Sequence, residues 1–186
     1  MHRGRQRRTR GSMMLEVVMA SALSVIVIVL LVSTQIHVLR NYQRTINHNT
    51  ANRAAYNALR DIREIAQQAV SITVVGNTAT LFLPARDADG RFRVPIQPDQ
   101  TNPVLIQVNF TARQLMLIQN GQARTLLTNL VDRTPQGAPY TPFSVQQVAP
   151  GVVAFHVRLS VREGHDAQTQ RIWFEECILL RNATQN

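Results

Sequence analysis

The spacing of apolar residues changes along this 186-residue chain, which begins with a nearly uninterrupted apolar block. From Met13 to Val32 the one charged residue is Glu16, and the other polar residues are two serines. About twenty such residues form a helix long enough to cross roughly 30 Å of hydrocarbon. The block therefore predicts a transmembrane segment over about residues 13–34.

The helix is expected to continue well beyond the apolar block. Neither proline nor glycine occurs from Ser12 to Val75, and apolar residues recur at alternating steps of four and three. The residues at these steps are Ala51, Ala55, Ala58, Ile62, Ile65 and Ala69. We therefore predict one helix over residues 12–69, whose outer half spans a membrane and whose inner half packs under a sheet.

After the helix the apolar period becomes two, which is typical of strands. Strands are predicted over residues 70–74, 78–83, 104–110, 115–119, 122–127, 153–161 and 171–180. Gly76-Asn77 and Asn120-Gly121 predict tight hairpin turns, and a turn at Gly164 joins the last two strands. Residues 84–102 and 132–142 contain prolines and predict loops. The fold class is thus α+β, with the long helix packed on an antiparallel sheet over residues 70–186.

The distribution of charge along the chain predicts how the helix is oriented in a membrane, and it does not indicate a particular ligand. The formal net charge is +9, all twenty basic residues are arginine, and five of them precede the apolar block. These five are Arg3, Arg5, Arg7, Arg8 and Arg10. The positive-inside rule places this end in the cytoplasm and the rest of the chain outside. Without these five arginines the net charge falls from +9 to +4. The absence of lysine excludes a Walker phosphate loop and Schiff-base chemistry.

A cleavable secretory signal is not expected, because no small-x-small cleavage site follows the apolar block. Glu16 instead indicates a different processing event. A carboxylate inside a membrane segment costs about 2.5–3.5 kcal/mol, and no cation lies within the block. If the chain were cut after Gly11, the new α-amine of Ser12 would supply a positive charge. Within one helix this amine would lie about one turn from Glu16. Between two staggered helices, the amine of one could pair directly with Glu16 of the other.

The basic leader, Gly11, Glu16 and the apolar run together resemble the class III signal of type IV prepilins and type II secretion pseudopilins. The match departs from the family at Ser12, where phenylalanine or methionine is usual. The resemblance implies that a prepilin peptidase removes residues 1–11 and N-methylates Ser12. It also implies a pilin-like fold, no catalytic activity and no cofactor.

The same resemblance implies a location and partners. The subunit would sit in the cytoplasmic membrane as a single-pass protein and then enter a periplasmic or extracellular filament with other pilin or pseudopilin subunits. The order of elements and the run Arg60-Asp61-Ile62-Arg63 are similar to minor subunits related to the J pseudopilin of type II secretion and its type IV pilus counterpart. Such a subunit helps to initiate or cap the filament.

The other residues that could act in catalysis or bind a metal do not form a recognisable catalytic or metal site. Asp87-Ala88-Asp89-Gly90 resembles part of a calcium loop, but arginines surround it and a polar turn is the better interpretation. Cys177 is the sole cysteine and is interpreted as a packed side chain. Glu175-Glu176 fits an edge strand with one solvated face, or a contact with a neighbouring subunit.

Two alternative functions remain open from the sequence. The first is an unprocessed single-pass membrane protein with an extracytoplasmic binding domain. The second is contact with DNA during uptake, through outward arginines such as Arg158 and Arg162, which would be an additional role for a filament subunit.

We expect the protein purified from membranes to begin at Ser12 with a methylated α-amine, because the leader and Glu16 match a prepilin signal. Intact-mass measurement and sequencing of the N-terminal peptide check this directly. Finding Met1 on the mature protein would rule out the prepilin hypothesis and leave the unprocessed membrane protein.

Overall fold

A computed structural model describes the backbone of residues 6–163, 171–181 and 184–185, and the side chains of residues 13–163 and 171–180. In this part of the chain one helix precedes nine strands, which confirms the α+β class. The elements are α1 (Gln6–Gln68), β1 (Ser71–Val75), β2 (Thr78–Phe82), β3 (Val104–Asn109), β4 (Gln114–Gln119), β5 (Gln122–Thr128), β6 (Phe143–Ala149), β7 (Val152–Arg162), β8 (Arg171–Arg181) and β9 (Thr184–Gln185).

Helix α1 runs without a break from Gln6 to Gln68, so it begins earlier than predicted and ends one residue before the predicted end. Gly11 and Ser12 therefore have helical backbone, while their side chains lie outside the described residues. The chain divides into two compact units, Met1–Ile46 and Asn47–Asn186. The inner part of α1 thus belongs to the same unit as the strands.

The larger sheet has six strands in the order β5-β4-β3-β2-β1-β9. The hairpin predicted at Asn120-Gly121 is confirmed, because both residues have positive φ, as a type I′ turn requires. The turn at Gly76-Asn77 joins β1 and β2 with Val75 paired to Thr78. These turn residues place neighbouring strands in register without long loops.

The prediction of a single antiparallel sheet is wrong in two respects. Strands β6, β7 and β8 form a separate three-stranded sheet, and β9 pairs with β1 in parallel. Strand β6 was not predicted, since only the irregular segment before it gave a clear signal. The turn predicted at Gly164 lies outside the described residues, but β7 and β8 pair antiparallel over eleven positions, from Val152↔Arg181 to Arg162↔Arg171.

The predicted helical stripe packs into the core of the strand domain. Ala55, Ala58, Ile62 and Ala69 are buried, and Ala51 and Ile65 are partly buried against the same core. Alanine at these positions allows the helix backbone to lie close to the strands, while larger residues fill the space between. The fully buried larger side chains include Ile72, Leu81, Ile106, Phe155 and Leu159.

Tyr140 fixes the proline-rich segment before β6 onto β7. Its hydroxyl donates a hydrogen bond to the carbonyl of Val131 (2.9 Å) and accepts one from the backbone N–H of Ser160 (3.0 Å). Its ring makes edge contacts with Phe110 and Trp173. Burial raises the pKa of Tyr140 to about 12, so the hydroxyl stays protonated at physiological pH.

Replacing Ile62 with alanine should lower the free energy of unfolding by about 2–5 kcal/mol, because Ile62 is fully buried. Ile46→Ala is the matched control on the same helix, since Ile46 is 45% exposed, and should change stability by about 0.5 kcal/mol or less. Guanidinium unfolding in detergent, followed by the fluorescence of Trp173, measures both. Equal losses from the two variants would contradict the packing of α1 described above.

Candidate functional site

Helix α1 presents a continuous apolar surface over its first described turns. The large hydrophobic residues between Met13 and Val32 are 49% to 74% exposed. Their helix is long and apolar enough to span a membrane, and none of its most apolar stretch is buried. An exposed apolar surface of this size is typical of a segment that contacts a membrane or another protein.

Three hydroxyl side chains in or next to this surface form hydrogen bonds within the helix itself. Ser21 donates to the carbonyl of Val18 (2.9 Å), and Ser24 donates to that of Ala20 (2.8 Å). Thr34 bonds in the same way to a carbonyl four residues earlier. Such bonds allow polar side chains to lie in hydrocarbon at little cost.

Glu16 differs from these hydroxyls. Its side chain is exposed, and it forms no hydrogen bond or ion pair with the described side chains of residues 13–163 and 171–180. A carboxylate can only accept hydrogen bonds, and the helical N–H groups around it are already used. Because the backbone from Gly11 to Glu16 is helical, residue 12 lies one turn before Glu16, on the same face. Glu16 is therefore an exposed carboxylate without a partner among the described side chains.

A second cluster of side-chain contacts lies where the inner part of α1 is attached to both sheets. Asp61 accepts a hydrogen bond from Arg124 of β5 (2.8 Å), and Arg63 forms an ion pair with Glu176 of β8. Ile62 points into the core between them. Strands β5 and β8 are terminal strands of their respective sheets, so one short run of the helix is fixed to both.

Two further contacts extend this attachment along the helix. His48 hydrogen-bonds to Glu163 at the end of β7, and Tyr56 packs edge-on against Phe174 with ring centroids 5.6 Å apart. The contacting residues lie more than a hundred positions apart in the sequence. No local pattern could have indicated these pairs.

Glu175 and Glu176 point to opposite faces of the edge strand β8, as the sequence predicted. Glu175 accepts a hydrogen bond from Arg158 (2.8 Å), and this bond lowers the pKa of Glu175. The side chain of Glu176 is only 11% exposed and faces Arg63. Arg158, one of the two arginines considered for DNA contact, is therefore already paired, and Arg162 also has a partner.

The calcium-like segment forms a closed polar turn. One oxygen of Asp87 accepts hydrogen bonds from the backbone N–H groups of Asp89 and Arg91, and Arg86 bonds to the carbonyl of Gly90. Among the residues that the structure describes, no three His, Cys, Asp or Glu side chains come together as metal ligands.

Comparisons with known proteins gave no match: no protein-family model, no curated protein and no solved structure is significantly similar to this chain. Its function has to be argued from the exposed apolar segment, Glu16 and the attached strand domain.

Replacing Arg63 with methionine should lower the free energy of unfolding by about 1–3 kcal/mol, because the nearly buried carboxylate of Glu176 loses its partner. Arg60→Met is the control, since Arg60 is 66% exposed and its contacts to Asp61 and Glu64 are 3.8–4.0 Å long. That variant should cost about 0.5 kcal/mol or less.

Adding Glu176→Gln to Arg63→Met should recover part of the lost free energy of unfolding, because an unpaired neutral amide costs less to bury than an unpaired carboxylate. Guanidinium unfolding of the three variants measures the coupling. If Arg60→Met and Arg63→Met were equally destabilising, the ion pair would not be what fixes α1 to β8.

Proposed function

We propose that this chain is a minor subunit of a prepilin-type filament, either a type IV pilus or a type II secretion pseudopilus. The observation that supports this most directly is the combination at the start of α1: an exposed apolar segment and a single carboxylate without a partner among the described groups. A membrane anchor alone needs the apolar segment but gains nothing from Glu16, which raises the cost of insertion.

In the proposed mechanism the arginine leader holds the N-terminus in the cytoplasm until a prepilin peptidase cuts between Gly11 and Ser12. The same enzyme methylates the new α-amine, which keeps its positive charge. On assembly, this amine of one subunit pairs with Glu16 of its neighbour, which offsets the cost of placing either charge among apolar helices. The apolar area buried between helices supplies the affinity, and the charge pair sets the register.

The strand domain then lies on the extracytoplasmic side, first at the membrane and later on the filament. Its side-chain contacts with α1 at Asp61 and Arg63 hold the helix against both sheets. These contacts occur within the run that resembles the J-type minor subunits, which supports a position in the initiating or tip complex. The partners are thus other pilin or pseudopilin subunits, the peptidase and the membrane.

A single-pass membrane protein with an extracytoplasmic binding domain would use the same anchor without processing. The two functions differ in what they require of Glu16. In that alternative, removing the carboxylate makes membrane insertion easier and has no further effect.

Glu16→Ala should leave membrane insertion and cleavage intact but reduce incorporation into filaments by about tenfold or more, because coupling between close interfacial charges is worth about 1.5 kcal/mol or more. Sheared filaments or cross-linked assemblies are quantified by immunoblot against the membrane fraction. Glu64→Ala is the matched control, since Glu64 lies on the same helix outside the apolar segment and is exposed. Normal incorporation of Glu16→Ala would contradict the mechanism.

A further inference from the structure

The outer face of the three-stranded sheet carries two metal-binding side chains next to each other. His156 of β7 and Cys177 of β8 are directly opposite in the strand register. The Sγ atom of Cys177 lies 4.0 Å from Nε2 of His156. Cys177 is exposed, so its interpretation from the sequence as a packed side chain is wrong, and His156 is partly exposed. An ion can therefore reach both from solvent.

The sheet holds these two side chains in place. Both strands pair without a break over eleven positions, and the next pair along the same face is Arg158 with Glu175. That carboxylate accepts its hydrogen bond from Arg158 (2.8 Å), so the contact of the imidazole is with Cys177. The thiol and the imidazole are therefore neighbours on the outer face of two regularly paired strands, and this face is open to solvent.

The distance between the two donor atoms suits one bound ion. With bonds of about 2.3 Å to sulfur and about 2.0 Å to nitrogen, an ion that bridges atoms 4.0 Å apart has a ligand angle of about 130–140°. This angle is wider than the tetrahedral angle that zinc prefers with four ligands. The described residues supply no third His, Cys, Asp or Glu ligand at this place. Two described ligands are too few for zinc, which takes four, or for calcium, which takes six to eight oxygens, so the ligand number favours a soft ion that accepts two protein ligands.

We propose that Cys177 and His156 form a two-ligand site for a soft monovalent cation of the Cu(I) class. On binding, the thiol loses its proton to solvent, a sulfur–copper bond forms, and the neutral imidazole donates its Nε2 lone pair. The copper enters as Cu(I) and its oxidation state does not change. The site is on the strand domain and does not depend on the proposed filament function.

The test uses the full chain in detergent, titrated anaerobically with Cu(I) in competition with a chromophoric Cu(I) chelator. Wild-type protein should bind one equivalent of Cu(I) more than Cys177→Ser does. Both proteins contain the same methionines, so the difference between them excludes any Cu(I) bound by methionine. His156→Asn should weaken this equivalent by at least roughly tenfold, since even an outer-shell partner of a metal ligand contributes about 10–100-fold. His37→Asn is the matched control and should bind like wild type, because His37 has no cysteine beside it among the described residues.

X-ray absorption of the copper-loaded protein provides an independent readout, which should show one sulfur and one nitrogen in the first shell. Equal affinity of wild type and His156→Asn would mean that a lone thiol binds the ion, and would overturn the proposal. Two sulfurs per copper with paired chains would overturn it as well, because the ion would then bridge two copies through Cys177. Circular dichroism confirms that each variant is folded.

Discussion

The burial of the apolar surface of α1 is the constraint on which the rest of the molecule depends. Some twenty exposed apolar residues cannot remain in water, since each fully buried side chain is worth about 1.5–3 kcal/mol. A membrane would supply hydrocarbon for this surface, and in the proposed filament the apolar helices of other subunits would cover it after assembly. Both environments exclude water, so every polar group on the segment has to find a partner. The hydroxyls of Ser21, Ser24 and Thr34 find one in their own helix, whereas Glu16 finds none among the described groups.

The same helix meets a different requirement further along. From Ala51 onwards its apolar residues occupy one stripe instead of the whole circumference, and that stripe is covered by strands of the same chain. The change from an all-round apolar surface to a one-sided one therefore marks where the helix begins to pack on its own domain. The boundary between the two compact units, after Ile46, falls between these two patterns.

Features that depend on local sequence could be predicted, and features that depend on distant residues could not. The helix, the stripe through Ile62 and the turn at Asn120-Gly121 are each encoded by neighbouring residues. Strand β6 was missed because glutamines and a serine interrupt its apolar residues, and its pairing with β7 decides its conformation. The division into two sheets and the partners of Asp61 and Arg63 arise from contacts across sixty to more than a hundred residues. At the candidate site, the position of Glu16 inside the apolar block identified it from the sequence. Only the structure could show that no described side chain pairs with it.

The side-chain contacts of α1 with the strand domain also have a mechanical consequence. They are spread from His48 to Arg63, which is about 22 Å along a helix that rises about 1.5 Å per residue. A tensile load applied along the helix axis would act on these contacts in shear, so that several must yield together instead of one after another. Ile62, buried between the two ion pairs, would have to leave the core in the same step. The domain is thus joined to its helix in a way that resists pulling along the axis more than peeling away from it.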